Sequence, residues 1–196
     1  YRDGIWKEIT PQKNHPYGAL AVDPNNADMV LCVAQEWASN RPIWLSMDGG
    51  ETWRDTTKSK TTSYPYMEWR SGYFANIVSC IVIDPFDCKS VWYADGQGIW
   101  HTPDITASTV AWTTVGYGVE ELCVTALASP PSGAPLFSAV LDNGGFRHTD
   151  LHQSPDSRVI GSWDSWYPAN TAIDYCEQDP NYIVRLGDNA SGNDST

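Results

Sequence analysis

The stretch Ser46-Met47-Asp48-Gly49-Gly50-Glu51-Thr52-Trp53 decides the fold class of this chain, and it directly follows the apolar run Ile43-Trp44-Leu45. Short Ser, Asp and Thr side chains bond nearby main-chain amides in turns. Glycine supplies the positive φ that a tight turn needs, and a tryptophan after the turn can pack beneath it. The stretch therefore predicts a β-hairpin closed by its own side chains, with structural roles for Ser46, Asp48, Gly50, Thr52 and Trp53.

Short runs of β-type residues recur along the whole chain, separated by clusters of Gly, Pro, Asn and Asp. Helical periodicity is nearly absent from the sequence, and no convincing helix-capping pattern precedes an apolar run. The chain is therefore predicted to be all-β. The predicted strands cover residues 18–22, 29–34, 43–46, 77–83, 90–94, 124–128, 136–141, 171–175 and 182–186.

Three pairs of neighbouring strands are joined by an Asp-Pro turn, at Asp23-Pro24, Asp84-Pro85 and Asp179-Pro180. Aspartate favours the start of a turn and proline fixes φ at the next position. A unit of short strands that recurs every roughly 40–60 residues is typical of β-propeller blades, which are four-stranded antiparallel sheets. Degenerate copies of the first hairpin are expected at residues 1–6 and 101–112. Because the chain starts without Met and ends in a polar segment, we expect an internal piece of a longer protein.

The composition excludes several classes of function. The net charge of −12 and the pI near 4.5 disfavour binding to nucleic acid or to anionic membranes. No apolar run is long enough to span a bilayer as a helix. The five cysteines form no CxxC pair, so we predict no metal site, and no cofactor is indicated. The sequons at Asn189 and Asn193 favour a secreted protein.

Ten Trp and ten Tyr are a large aromatic excess for 196 residues. Exposed rings stack on the apolar faces of sugars, although a β-rich core accounts for many aromatic residues as well. Two clusters fall in poorly repeated stretches, where blade packing does not explain them. We predict that Tyr66, Trp69 and Tyr73 in the first cluster, and Trp163 and Trp166 in the second, bind a sugar chain; each ring has a core position as its alternative.

The predicted strand 136–141 delivers Asp142 at its end, and the sequence Asn-Gly-Gly follows. Small residues beside a carboxylate leave open space for a closely approaching substrate. A hairpin turn capped by an aspartate is the alternative explanation of the same pattern. Spacing alone does not decide between the two.

Residues 118–121 (GVEE) and 128–151 (ASPPSGAPLFSAVLDNGGFRHTDL) resemble glycoside hydrolase family 74, the xyloglucanases. Their pattern is G-[IV]-E-E followed by L-x-S-P-P-x-G-x-x-L-x-S-x-x-G-D-x-G-G-F-R-H-x-D-L. The likeness extends over nearly the whole chain, including the predicted hairpin at residues 46–53, which matches the Asp-box S-x-D-x-G-x-T-W. Asp-boxes also occur in sialidases and sortilin-type receptors, so that motif by itself does not decide the function.

The resemblance implies two seven-bladed propellers that face each other across a cleft, with one catalytic Asp from each. Residues 1–118 would form the last blades of the first propeller and residues 119–196 the start of the second. Asp142 matches the general acid of an inverting mechanism, and Gly144 and Phe146 would line the substrate site. The general base belongs to a D-x-G-G-x-Y-R motif that this chain lacks. Leu141 departs from the family, which has Gly at that position.

We therefore expect a secreted, extracellular glycosidase that acts on xyloglucan or a related β-1,4-glucan. The rest of the same polypeptide would complete the cleft, so the isolated segment should be inactive. Arg147 is expected to point away from Asp142 into a structural pair, and His148 to support the turn. The alternative function is a non-catalytic Asp-box propeller that binds carbohydrate or protein, which Leu141 favours slightly.

Overall fold

The computed structural model describes residues 4–35, 41–67, 74–75, 77–96, 98–119, 122–141, 144–155 and 170–187. These residues form fourteen β-strands, and no helix occurs among them, so none of bilayer-spanning length is found there. The chain divides into two compact units. The N-terminal unit holds residues up to 120 except 66–72, and the C-terminal unit holds 66–72 and the residues from 121 onward.

The first sheet of the N-terminal unit is an antiparallel meander of four strands in sequence order. The first turn is closed by Asp23, whose Oδ1 accepts a bond from the amide of Asn25 at 2.9 Å, as expected for an Asp-Pro turn. The strands are β1 (Tyr17–Asp23), β2 (Asn26–Ala34), β3 (Ile43–Ser46) and β4 (Arg54–Asp55).

The second sheet of this unit has five strands in the order β5-β9-β8-β7-β6. Four of them pair antiparallel, whereas β5 adds to the edge parallel to β9. Buried and more exposed residues alternate along β7, β8 and β9, which is the period of a strand with one face in a core. The strands are β5 (Lys60–Ser63), β6 (Cys80–Ile83), β7 (Val91–Asp95), β8 (Gly98–Thr102) and β9 (Val110–Thr114).

Aromatic rings fill the core that the two sheets share. Phe74 meets the rings of Tyr93 and Trp100 edge-on, with centroids 5.5 and 5.1 Å apart, and Trp112 lies 5.8 Å away. Pairs of this geometry contribute about 0.5–1.5 kcal/mol each beyond the burial of their area. A substantial part of the aromatic excess therefore stabilises the fold.

The C-terminal unit contains a three-stranded antiparallel sheet and a two-stranded one. Strand β13 packs against β10 and β11, and the Thr125 hydroxyl lies 3.1 Å from the Ala139 carbonyl and 2.6 Å from the Asn170 carbonyl. The strands are β10 (Val124–Ala128), β11 (Leu136–Val140), β12 (Gly144–His148), β13 (Asn170–Cys176) and β14 (Asp179–Gly187).

The all-β prediction is confirmed, with short antiparallel meanders of the blade type. The number of blades per propeller, and the assignment of residues 1–118 and 119–196 to two propellers, stay predictions. One turn was placed wrongly: Cys176 pairs with Asp179, so the third hairpin turns at Glu177 and Gln178. The Asp-Pro pair starts β14 instead, where the Asp179 carboxylate still bonds the Asn181 amide at 3.2 Å.

Candidate active site

The hairpin at residues 46–53 is held together by the side chains of Ser46, Asp48 and Thr52. Ser46 Oγ accepts a bond from the amide of Gly50 at 2.8 Å and donates to Asp48 Oδ1 at 2.8 Å. Asp48 in turn accepts the amide and the hydroxyl of Thr52, at 2.9 and 2.5 Å. The Asp48 carboxylate thus accepts three hydrogen bonds from residues of its own hairpin, and its role is structural.

Residues before β1 close over this hairpin. The Trp53 indole donates from Nε1 to the carbonyls of Ile9, at 2.8 Å, and Gly50, at 3.2 Å. Gly50 has φ +91°, and a Cβ there would lie 2.7 Å from the side chain of Ile9. Glycine is therefore required at this position both for the turn and for the close approach of the segment above it.

Hydrogen bonds from the Thr52 hydroxyl, the Thr52 amide and the Ser46 hydroxyl lower the pKa of Asp48 from 3.8 to about 2. A carboxylate whose folded pKa is depressed stabilises the fold above its unfolded pKa, and that contribution is lost as the pH falls through the folded value. We expect Asp48→Asn to lower the Tm by a few degrees near neutral pH, and we expect this difference to close between pH 3.8 and about 2. Thermal unfolding followed by circular dichroism measures it.

Glu51→Gln is the matched control, because it removes one negative charge from the same hairpin and only a surface pair with Lys7. Its effect on Tm should be smaller than that of Asp48→Asn near neutral pH. A Tm difference for Asp48→Asn that stays constant down to pH 2 contradicts a structural role for the ionised carboxylate.

Strands β11 and β12 form the hairpin that carries the predicted catalytic segment. Val140 pairs with Gly144, and Ala139 pairs with Gly145. The Leu141 amide donates to the carbonyl of Cys123 at 3.0 Å, which fixes the start of the turn against the residue before β10. Asp142 itself lies outside the described residues, and its predicted role as general acid stays a prediction.

The two glycines of this hairpin are buried, which corrects the idea that they leave open space for substrate. Gly145 has φ +121°, and a Cβ there would lie 2.1 Å from the carbonyl oxygen of Ser138 on the partner strand. Gly144 also has a positive φ, of 77°. The Gly-Gly pair is therefore needed by the main chain of the hairpin itself.

Phe146 was predicted to contact substrate, and its position contradicts this prediction. The side chain is 2% exposed and packs with Met67 and Val140 in a small core cluster. A ring enclosed in this way offers no face to a sugar. Phe146 anchors the hairpin from below. Gly144 is buried near it in β12, and its contact with substrate stays a prediction.

His148 and Arg147 take different roles at the end of β12. The His148 Nε2 lies 3.0 Å from the Ser138 hydroxyl, and burial lowers the pKa of this histidine. His148 therefore supports the pairing of β11 and β12, as expected. Arg147 is exposed, but the predicted structural pair is missing: among the described residues, no acceptor bonds its guanidinium.

Of the predicted sugar-binding rings, only Tyr66 belongs to the described part of the chain besides Phe146. Tyr66 is 52% exposed and has φ 66°, an uncommon value for a residue with a side chain. Its ring is accessible, so its contact with a sugar stays a prediction. Outside the described residues lie Trp69, Tyr73, Trp163 and Trp166, together with the sequon residues Asn189 and Asn193.

Sequence reasoning did not single out several accessible rings, and Trp92 on β7 is an example. Its ring lies against the imidazole of His101, tilted by 31° with the centroids 4.3 Å apart, and Trp92 remains 37% exposed. Strand alternation was the available signal, since Tyr93 next to it faces the core. The alternation does not say which of two neighbouring rings is buried unless the register is known.

Comparisons with known proteins point to one family. A xyloglucanase from Acetivibrio thermocellus is 30% identical over 217 residues, which covers 93% of this chain and 25% of that protein. Solved structures of GH74 enzymes from Niastella koreensis and Xanthomonas campestris match with TM-scores of 0.82 and 0.81. Each is 28% identical and covers 93% of this chain and 27% of its own. No protein-family model matches the chain.

This chain thus spans about a quarter of the length of the relatives that it matches. Sequence identity and shared fold agree with the motif at residues 128–151, on which the resemblance was first based. The resemblance to glycoside hydrolase family 74 is confirmed, and the chain is a homologue of one segment of these xyloglucanases.

Proposed function

We propose that the protein to which this chain belongs is a glycoside hydrolase that cleaves xyloglucan or a related β-1,4-glucan. The relatives named xyloglucanases support the proposal, and so does the fold that they share with 93% of the chain. The proposed reaction includes cleavage of bonds within the glucan chain as well as cleavage near a chain end. Because the substrate is a polymer outside cells, we also propose that the protein is secreted.

The proposed mechanism inverts the anomeric centre with two carboxyl groups. Asp142 donates its proton to the glycosidic oxygen as the bond from this oxygen to C1 breaks, and the leaving chain departs with a new hydroxyl group. A second carboxylate takes a proton from a water molecule, which attacks C1 from the opposite face. The two carboxyl groups of inverting enzymes are about 6.5–9.5 Å apart, which leaves room for this water. We place the second carboxylate in the remainder of the polypeptide, across the cleft.

The observation that carries the proposal is the way β11 and β12 hold the turn between them. The turn begins at the bond between Leu141 and Cys123 and ends at two buried glycines, above the enclosed ring of Phe146. A general acid must be held within a small distance of its proton acceptor, so it requires a rigid support of this kind.

A non-catalytic carbohydrate-binding propeller is the second candidate function, and Leu141 is the observation that favours it. The family has Gly before the catalytic Asp, whereas Leu141 is half-buried and ties its amide into the sheet. In this second candidate, a side chain where the family has none narrows the substrate site. Such a protein would bind the glucan without cleaving it.

The stereochemistry of the first product tests the proposal. The intact protein is mixed with xyloglucan oligosaccharide, and proton NMR spectra are recorded within the first minutes, before the anomers equilibrate. Inversion of a β-linkage should give the α-anomer first, because the water attacks the face opposite to the leaving group. The appearance of the β-anomer first contradicts the inverting mechanism. Binding without any product supports the second candidate.

A further inference from the structure

The C-terminal unit contains a surface pocket of about 190 Å³ that the proposed mechanism does not use. Its walls come from the loop before β11, from β12 and from the start of β14. Its lining includes Ser132, Phe137, Arg147, Asn181 and Ile183. The volume lies below the range of about 300–1,000 Å³ that is common for drug-sized ligands, so it suits a single small ring.

The pocket opens at the other end of β11 from Asp142. The loop 129–135 precedes β11, whereas Asp142 follows it, and the five residues of the strand separate the two. At about 3.3 Å per residue this is a separation of roughly 16 Å along the strand. The pocket is therefore distinct from the edge that carries the predicted catalytic segment.

Arg147 gives the pocket a positive charge. It lies directly opposite Phe137 in the antiparallel register, and its guanidinium has no acceptor among the described residues. The chain as a whole carries a net charge of −12, with 24 acidic residues. A guanidinium that no described carboxylate pairs with presents a fork of donors that matches a carboxylate of a ligand.

Polar groups that suit hydroxyls lie beside the arginine. The main chain of Asn181 bonds Asp179, whereas no described residue bonds its side-chain amide. Asn181 Oδ1 is 3.6 Å from the position of a Cβ on Gly133, so the amide faces the loop that also carries Ser132. Amide and hydroxyl groups can both donate and accept, as recognition of sugar hydroxyls requires.

The floor of the pocket is apolar and firmly packed. Phe137 is 9% exposed and belongs to the core cluster of this unit, and Ile183 packs against the same cluster. Pro180 adds a rigid ring at the rim. Apolar groups of this kind pack on the C–H face of a sugar ring, while its hydroxyls and charge point to the polar wall.

We propose that this pocket binds a hydroxylated carboxylate of the size of one hexuronate unit. Arg147 binds the carboxylate, Asn181 and Ser132 bind hydroxyls, and Ile183 with Phe137 supports the ring. The site would recognise acidic sugars that accompany a neutral glucan, in addition to the glucan itself. The proposal rests on the geometry of the pocket and does not depend on catalysis by the protein.

Saturation-transfer NMR titrations of the intact protein with D-glucuronate, D-glucose and acetate test the proposal. Glucuronate should bind with a Kd on the order of 1 mM, and glucose and acetate should each bind at least about tenfold more weakly, since each lacks one set of contacts. Arg147→Gln should weaken glucuronate binding at least about tenfold. The affinity of Arg147→Lys for glucuronate should lie between that of the wild-type protein and that of Arg147→Gln, because a lysine keeps the positive charge but loses the paired donors of the guanidinium.

Lys58→Gln is the matched control, since it removes an exposed positive charge from the N-terminal unit. It should leave the binding of glucuronate unchanged, and Asn181→Ala should weaken it. Equal binding of glucose and glucuronate overturns the proposal, and so does glucuronate binding that survives Arg147→Gln in a protein of unchanged Tm. Acetate binding as tight as that of glucuronate also overturns it, because a simple anion site would need no hydroxyl contacts.

Discussion

Asp142→Asn is expected to lower kcat on xyloglucan about 1,000-fold, which is within the range that positioned general acids contribute. The natural leaving group is a sugar hydroxyl, which departs very slowly as an alkoxide. A proton must therefore reach the glycosidic oxygen as the bond breaks. Asparagine has nearly the shape of aspartate and no proton to give, so binding of the glucan should change far less than turnover.

The leaving group provides the sharper form of this test. An aryl glycoside of the xyloglucan oligosaccharide releases a stable phenolate, which needs little help from an acid. Asp142→Asn should therefore lower the rate of cleavage much less with the aryl substrate than with the polysaccharide. Initial rates on both substrates, measured for the intact wild-type protein and for the variant, give this ratio directly.

Asp150→Asn is the matched control for this experiment. Asp150 is an exposed acid shortly after β12, and its carboxylate bonds only the His152 amide among the contacts described, at 2.8 Å. It should leave both rates unchanged. Full activity of Asp142→Asn on xyloglucan contradicts the assignment of the acid. An equal loss on both substrates would show instead that the substitution disturbs the base, the substrate or the turn.

The part of the fold that sequence reasoning described well is the part whose contacts are local. The bonds among Ser46, Asp48 and Thr52 join residues only a few positions apart, so the residue types and their spacing determine them. The same holds for the turn at Asp23, whose carboxylate bonds the amide two residues on. Such interactions need no knowledge of how the strands pack.

Residues whose roles depend on a partner strand were harder to interpret. The sequence FRH after two glycines is compatible with Phe146 facing either a cleft or a core, since a shift of register by one residue exchanges the two faces of a strand. The pairing of Ser138 with Phe146 places the Phe146 ring in the core. The same register brings the main chain of Gly145 so close to Ser138 that a side chain has no room there. The short strands β4, β5, β8, β9 and β12 were not predicted from the sequence.

The aromatic excess shows the same limit on a larger scale. Composition favours sugar binding and core packing equally, and Tyr93, Trp100 and Trp112 prove to be almost completely buried. The pocket at Arg147 was hidden in a different way. It combines β12 with the start of β14, and only the folding of the C-terminal unit brings Arg147 near Asn181.

Gly145→Ala is expected to destabilise the C-terminal unit by about 3 kcal/mol or more, the combined cost of a strained main chain and of lost strand pairing. A Cβ at this position would lie 2.1 Å from the Ser138 carbonyl oxygen, and the next nearest atoms belong to the main chain of the same strand. Main chain cannot move aside as a flexible side chain can. Strand β12 would have to separate from β11, which also displaces Phe146 from its core cluster. Urea unfolding of the intact protein measures the loss.

Gly133→Ala is the matched control, because it lies in the same unit and also has a positive φ, of 87°, while its nearest neighbour would be 3.6 Å away. Gly133→Ala should lower the free energy of unfolding by only about 1–2 kcal/mol, the usual penalty of a left-handed conformation for alanine. Equal losses for the two variants would mean that β11 can retreat and that the close approach is not a constraint.

Asp142→Asn and Gly145→Ala, both in the hairpin of β11 and β12, should also differ in their effects on catalysis. Asp142→Asn removes only the proton donor, so the rate on the aryl substrate should be nearly retained. Gly145→Ala displaces the turn itself, so the rates on the aryl substrate and on xyloglucan should fall alike.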